Sequence, residues 1–212
     1  MSSVPAESTQ TFPNWHEGVA HLLKVDPVLA AIIDRYPDGM LVPKGDLFQT
    51  LIRSIVGQQI SVKAAQTVWD RFVAVCGEVT PGAIQACTED ALRGAGLSRM
   101  KASYIQGIAA NPDPLNLSEL MLCSDDDVLK RLTAYRGVGE WTAQMCMMFS
   151  LCRPDILSLK DIGLRRGVEK HYNAGVRMTD SEIRAVAAPW APWRSIATWY
   201  LWRSLDPIPV EY

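Results

Sequence analysis

The sequence predicts an all-α protein, and three observations carry that prediction. Helix-start signals, an Asp, Ser or Thr just ahead of an apolar run, recur at short intervals along the chain. Between them apolar residues return every three or four positions, the period of a helix with one buried face. Almost no stretch alternates apolar and polar residues as a half-buried strand would.

The elements follow in order. Asp46 with Gln49 forms a capping-box pattern ahead of LFQTLIRSIVGQQ, in which Leu47, Leu51, Ile52, Ile55 and Val56 make one apolar face and Gly57 breaks the helix near its end. Ser61 caps VKAAQTVWDRFVAVCG, where Ala64, Ala65, Val68, Trp69, Phe72 and Val75 share a face and Gly77 stands at the carboxyl end. A short helix from Thr88 leads to LRGAGLSRMKA. Ser98 caps the next helix, which carries Tyr104, Ile105 and Ile108 until Asn111-Pro112 stops it. Ser124 with Asp127 opens DDDVLKRLTAY, and Trp141 to Ser150 form a helix too apolar for the surface. CRPDILSLKD reads as a loop, with Asp161 at the cap position of IGLRRGVEKHY. Thr179 with Glu182 makes another capping box, and PWRSIATWYLWRSL reads as a final amphipathic helix closed by Asp206-Pro207. The total is about nine or ten helices. RGAG at 93–96 and RGVG at 136–139 are alike and predict two similar turns.

Composition narrows the function classes. At 212 residues, 48% hydrophobic and 21% charged, the chain is long enough to bury a sizeable core, and only the polar start, residues 1–14, reads as a flexible tail. That start lacks the order of a signal peptide, and the longest uncharged run falls short of the roughly 20 residues that span a bilayer. The expectation is an intracellular protein with no membrane partner, in bacterial cytoplasm or a eukaryotic nucleus. Five cysteines without ligand spacing predict buried free thiols. A net charge of −2 argues mildly against nucleic acid, although totals hide local patches.

AYRGVGEWTA, residues 134–143, interrupts a helical stretch with two glycines around one valine. Gly137 and Gly139 permit backbone angles closed to other residues and remove side chains that would keep an anion from the amides. The amino end of the helix that follows favours an anion through its N–H groups and dipole, and a phosphate is the natural ligand. Val138 is placed to point inward and pin the two helices, against Leu129 and Leu132.

This hairpin, followed after a buried helix by a loop with a lone aspartate in LSLKDIGLRRG, resembles the helix-hairpin-helix DNA glycosylase superfamily. The likeness runs from about Asp46 to Trp202. Through IVGQQISVKAA, GVGEWTA, IGLRRG and WAPWRSIATWYLWR it is similar to the 3-methyladenine DNA glycosylase II type. The resemblance implies two helical lobes with the active site in the cleft between them. Residues 47–155 would form the middle lobe with the hairpin, and residues 15–46 with 156–212 the second. It implies a monomer that excises alkylated purines, 3-methyladenine and 7-methylguanine, from double-stranded DNA.

The resemblance also implies roles. Asp161 would be catalytic, a fixed anion beside the positive charge that builds on deoxyribose as the base departs, and able to orient or deprotonate the attacking water. Asp155 and Asp206 are weaker candidates. Gly137, Val138, Gly139 and Thr142 would grip the DNA backbone, with backbone carbonyls near Arg136 and Val138 holding a monovalent cation, Na or K. Trp141 and Trp202 match positions that line the base pocket, where an aromatic face attracts a cationic methylated purine. Met145, one turn past Trp141, stands where some relatives have tyrosine. Gln59, with Gln58 beside it, matches the wedge that fills the gap left by a flipped nucleotide. Lys160, Arg165 and Arg166 are candidate phosphate contacts, as is Lys170, whereas Arg194 suits an ion pair within the fold.

Two departures shape the chemistry. Bifunctional relatives carry a Schiff-base lysine where this chain has Trp141, which predicts hydrolysis without strand cleavage. Many relatives carry an acidic residue where this chain has Lys160, which leaves a bifunctional glycosylase and lyase, or a non-catalytic DNA-structure-binding protein, as alternatives. No cysteine follows Cys152, so no iron-sulfur cluster and no other cofactor is expected.

Overall fold

The computed structural model describes residues 12–44 and 46–205, and these divide into two compact units, one of residues 12–44 and 154–205 and the other of residues 46–153. All regular elements among the described residues are helical. No helix is long and apolar enough to cross a membrane. Of the tail expected through residue 14, residues 1–11 lie outside the described residues, and Phe12 is already 2% exposed, packed edge-on against Trp15.

The first unit opens with α1 (Trp15–Val25) and α2 (Pro27–Ile33). Asp26 caps α2 through Oδ1, which accepts the amides of Val28 and Leu29 at 2.9 and 3.0 Å, with Pro27 pre-set at the first helical position. Its Oδ2 accepts the Tyr172 hydroxyl and the Trp190 indole N–H, both at 2.7 Å. One buried carboxylate thus satisfies four donors from three parts of the unit. Burial, and then the bond to Asp26, push the Tyr172 phenol far above its usual pKa. Asp26→Ala is expected to cost about 3 kcal/mol, because it strands the buried Trp190 indole N–H and the half-buried Tyr172 hydroxyl and removes the cap of α2. Urea unfolding measures this, and a loss below about 1 kcal/mol would contradict the role.

The second unit follows. It holds α3 (Leu47–Gly57), α4 (Val62–Cys76), α5 (Pro81–Ala86), α6 (Glu89–Gly94), α7 (Arg99–Ala110), α8 (Leu117–Leu122), α9 (Asp125–Thr133) and α10 (Glu140–Phe149). Asp46, Ser61, Thr88, Ser98 and Ser124 cap α3, α4, α6, α7 and α9 as the sequence predicts, and Thr80 and Asn116 add caps for α5 and α8. Leu51, Ile55, Phe72, Ile105, Leu132 and Cys146 lie in its core. Val75, placed on the buried face of α4 by spacing, is 41% exposed at the end of that helix. The two glycine turns also differ. Gly94 is helical and Gly96 takes the positive φ in the first, whereas Gly137 takes it in the second.

The chain then completes the first unit with α11 (Ile162–Tyr172), α12 (Asp180–Ala187) and α13 (Arg194–Leu205). The capping box of Thr179 and Glu182 is present in both directions. The expected amphipathic last helix is instead a central one. Seven consecutive residues of α13, Ser195 to Leu201, are buried, as a helix enclosed on all sides must be. Gly18 lets α1 approach it, since a Cβ there would lie 2.3 Å from Ile196 and 3.0 Å from Trp193. The buried hydroxyls are satisfied: Ser195 accepts the Ile156 amide and Thr198 donates to the Arg194 carbonyl. Its closing residues, Asp206-Pro207, lie outside the described residues.

The described residues hold thirteen α-helices and two 3-10 turns, Asp113–Leu115 and Ala188–Trp190, more than the nine or ten expected. The helices not anticipated are α1 and α2 at the start of the described residues and the six-residue α5 and α8, which are too short to show a period. The cysteines are all free, but only Cys146 is fully buried.

Candidate functional site

In the second unit α9 and α10 are joined by the glycine turn. The Val138 amide donates to the Tyr135 carbonyl at 3.1 Å, and the Tyr135 hydroxyl is tied to the Asn111 carbonyl at 2.6 Å. Gly137 has φ 87°, and a Cβ there would sit 2.2 Å from the Tyr104 ring. Gly139 has an ordinary φ of −88° and nothing within 4 Å of where its Cβ would be. The two glycines therefore do different work. Gly137 makes the turn, and Gly139 keeps its outer surface clear.

Because the Val138 amide is spent on the turn, the anion-binding capacity rests on the amino end of α10, where Gly139 supplies no side-chain cap. Val138 is buried as expected, and the buried residues of α9 are Val128 and Leu132, with Leu129 only half-buried. Thr142 is buried too, so its side chain is part of the packing.

The loop after α3 reaches this hairpin. The Gln58 side-chain amide donates to the Gly137 carbonyl at 2.9 Å, and Gln59 takes a left-handed φ of 60°. Lys101, which sequence reasoning passed over, donates from Nζ to the carbonyls of Val56 and Gln58. On α10, Trp141 is half-buried, while Met145 is 2% exposed within the core, so Trp141 is the one with surface to offer.

In the first unit Asp161 is 2% exposed and caps α11. Its Oδ1 accepts the Leu164 amide at 2.6 Å and the Trp202 indole N–H at 2.8 Å. Gly163 makes room for that contact, since a Cβ there would lie 2.6 Å from Trp202 and 3.1 Å from Oδ1 of Asp161. Two of the predicted residues, Asp161 and Trp202, are thus in direct contact. The motif glycine between them and the indole donor were not legible as a pair, since they lie on separate helices.

The basic residues of α11 divide. Arg165, expected to meet a phosphate, is committed to the fold: it donates to the carbonyls of Leu159 and Met178 and pairs with Asp180. It thereby holds the loop that ends in Asp161 against the start of α12. Lys170 donates to the Ser204 carbonyl at 3.1 Å. Arg166 and Lys160 are exposed. Arg194 is an ion-pair partner within the fold as expected, bound through two nitrogens to Asp155 at 2.6 Å each, which leaves Asp155 a poor catalyst. Asp206 lies outside the described residues.

The same arrangement of helices is known elsewhere. The family model for HhH-GPD superfamily base excision DNA repair proteins matches residues 52–192. DNA-3-methyladenine glycosylase 1 of Schizosaccharomyces pombe is 28% identical, over 83% of this chain and 80% of its own. Among solved structures, a DNA-3-methyladenine glycosidase of Bacillus halodurans is 33% identical with TM-score 0.81, over 96% of this chain and 95% of that one. The S. pombe 3-methyladenine DNA glycosylase in complex with abasic DNA is 26% identical with TM-score 0.78, over 92% of this chain and 100% of that one. With its glycine hairpin and helix-capping aspartate, this chain belongs to the HhH-GPD superfamily of base excision DNA repair proteins, among the DNA-3-methyladenine glycosylases.

Proposed function

We propose that this protein, acting as a monomer, hydrolyses the N-glycosidic bond of alkylated purines, 3-methyladenine and 7-methylguanine, in double-stranded DNA and leaves an abasic site. The observation that carries the reading is Asp161, a carboxylate fixed at a helix amino end by Leu164 and by the indole of a candidate pocket residue, Trp202. A methylated purine is cationic, so the C1′–N bond breaks with its electron pair going to the base, which leaves neutral. Asp161 stabilises the positive deoxyribose, water adds its oxygen to C1′, and the water proton passes to the carboxylate and on to solvent. Trp202, beside Asp161, supplies an aromatic face to the cationic base before it leaves.

The hairpin grips a phosphate at the amino end of α10, and Gln59 enters the gap left by the flipped nucleotide. A monovalent cation fits the turn. The carbonyls of Tyr135 and Gly137 are taken by the Val138 amide and Gln58, while those of Arg136 and Val138 accept no hydrogen bond among the described residues. Na or K bound there would draw a phosphate by charge.

Incubation with DNA treated with a methylating agent tests the reading. Chromatography is expected to detect free 3-methyladenine and 7-methylguanine, and the strand is expected to break only after alkali. Absence of free base sinks the activity. Direct nicking, with a borohydride-trapped adduct at Lys160, would replace it with a lyase mechanism.

A further inference from the structure

A left-handed backbone is unfavourable for a non-glycine residue such as Gln59, and it persists only where neighbours over-determine it. Here they do so from two sides. Gln58, the C-cap of α3, sends its side-chain amide to the Gly137 carbonyl at 2.9 Å. From α7, the Lys101 ammonium donates to the carbonyls of Val56 at 2.8 Å and Gln58 at 2.6 Å. A cation on the carboxyl end of α3 also meets the negative end of that helix dipole.

One turn further along α7, Tyr104 lies against Gly137, and the Arg136 guanidinium covers its ring at 5.9 Å. Residues three apart share a helix face, so α7 holds the insertion loop with Lys101 and the hairpin with Tyr104. Gln58 closes the ring between them.

We propose that Lys101 is a positioning residue which, together with Gln58, locks the Gln58–Gln59 loop to the hairpin, so that a phosphate gripped at the hairpin sets how far Gln59 enters the base stack. This rests on the reading of Gln59 as the inserting side chain. Without Lys101 two carbonyls lose a charged donor and the strained backbone of Gln59 is released to relax. The turn itself, made by Gly137 and the bond from Val138 to Tyr135, keeps its form. The loss therefore falls on recognition of a displaced nucleotide and spares the grip on the backbone.

The test uses the full chain and two probes, a duplex with one tetrahydrofuran abasic analogue and the same duplex undamaged, with affinities read by fluorescence anisotropy. The wild type is expected to prefer the tetrahydrofuran duplex. Lys101→Met, which removes both charged hydrogen bonds from Nζ, should lose at least about tenfold of that preference, while Lys101→Arg restores most of it. Gln58→Met removes the other link without touching α7 and serves equally if Lys101→Met fails to fold. In the double variant the losses should not add, since both act through one loop.

Unchanged preference in Lys101→Met, or in Gln58→Met where it is the folded variant, overturns the proposal. So does an equal loss on both duplexes, or a wild type without preference. A wild type that prefers the tetrahydrofuran duplex yet releases no alkylated base refutes the proposed activity and leaves this coupling standing.

Discussion

Asp161→Asn should slow release of 3-methyladenine by about a thousandfold, the loss expected when one fixed charge opposite a developing charge is removed. The substitution is a clean one in this structure. Asparagine keeps an Oδ1 that can accept the Leu164 amide and the Trp202 indole N–H, and it caps helices about as well as aspartate. The fold should therefore survive, with a melting temperature close to that of the wild type. Single-turnover measurement of released base separates the two effects. Trp202→Phe, which removes the indole donor and shrinks the ring but keeps an aromatic face, should fall well short of that loss. Wild-type rates in Asp161→Asn would mean that the catalytic group lies elsewhere.

Gly137→Ala is expected to be the most damaging single methyl in the hairpin. Its Cβ would lie 2.2 Å from the Tyr104 ring, and φ 87° is closed to alanine, so the turn must rebuild at a cost of about 3 kcal/mol. Denaturant unfolding should show that loss, and DNA affinity should drop at least about tenfold with it. Gly139→Ala provides the contrast. Its Cβ would meet open space at an ordinary φ of −88°, so stability should hold. Any loss in that variant belongs to the approach of a ligand. Equal destabilisation in the two variants would contradict this division of labour.

What was legible in the sequence was local. Asp161 could be read as a cap because a cap and its helix are neighbours, and the same holds for Ser61, Ser98 and Ser124. The hairpin could be read because glycine punctuates a chain wherever it stands. Phase is harder to read, because one position turns a side chain by about 100°: the spacing points to Leu129, and its neighbour Val128 is the buried residue. The contacts that arrange the site depend on distance in space. Lys101 meets carbonyls 45 and 43 residues away, and Asp26 meets Tyr172 and Trp190 at separations of 146 and 164. Nothing in a capping pattern or a helical period announces such partners. For the same reason Arg165 looked like a surface cation, while its partners lie 13 and 15 residues further along, at Met178 and Asp180.

That pairing has a thermodynamic consequence for DNA binding. A side chain lowers the salt dependence of affinity only if it displaces condensed counterions from the duplex, and Arg165 already has its counter-charge in Asp180. It should add nothing to the slope of log K against log salt, so neutralising it and Asp180 together should leave that slope unchanged. Arg166, exposed on the same helix, is the residue whose removal should flatten it by about 1. For a protein of net charge −2, attraction to DNA would then come from a few placed groups, and binding should tolerate salt better than that of a broadly basic protein.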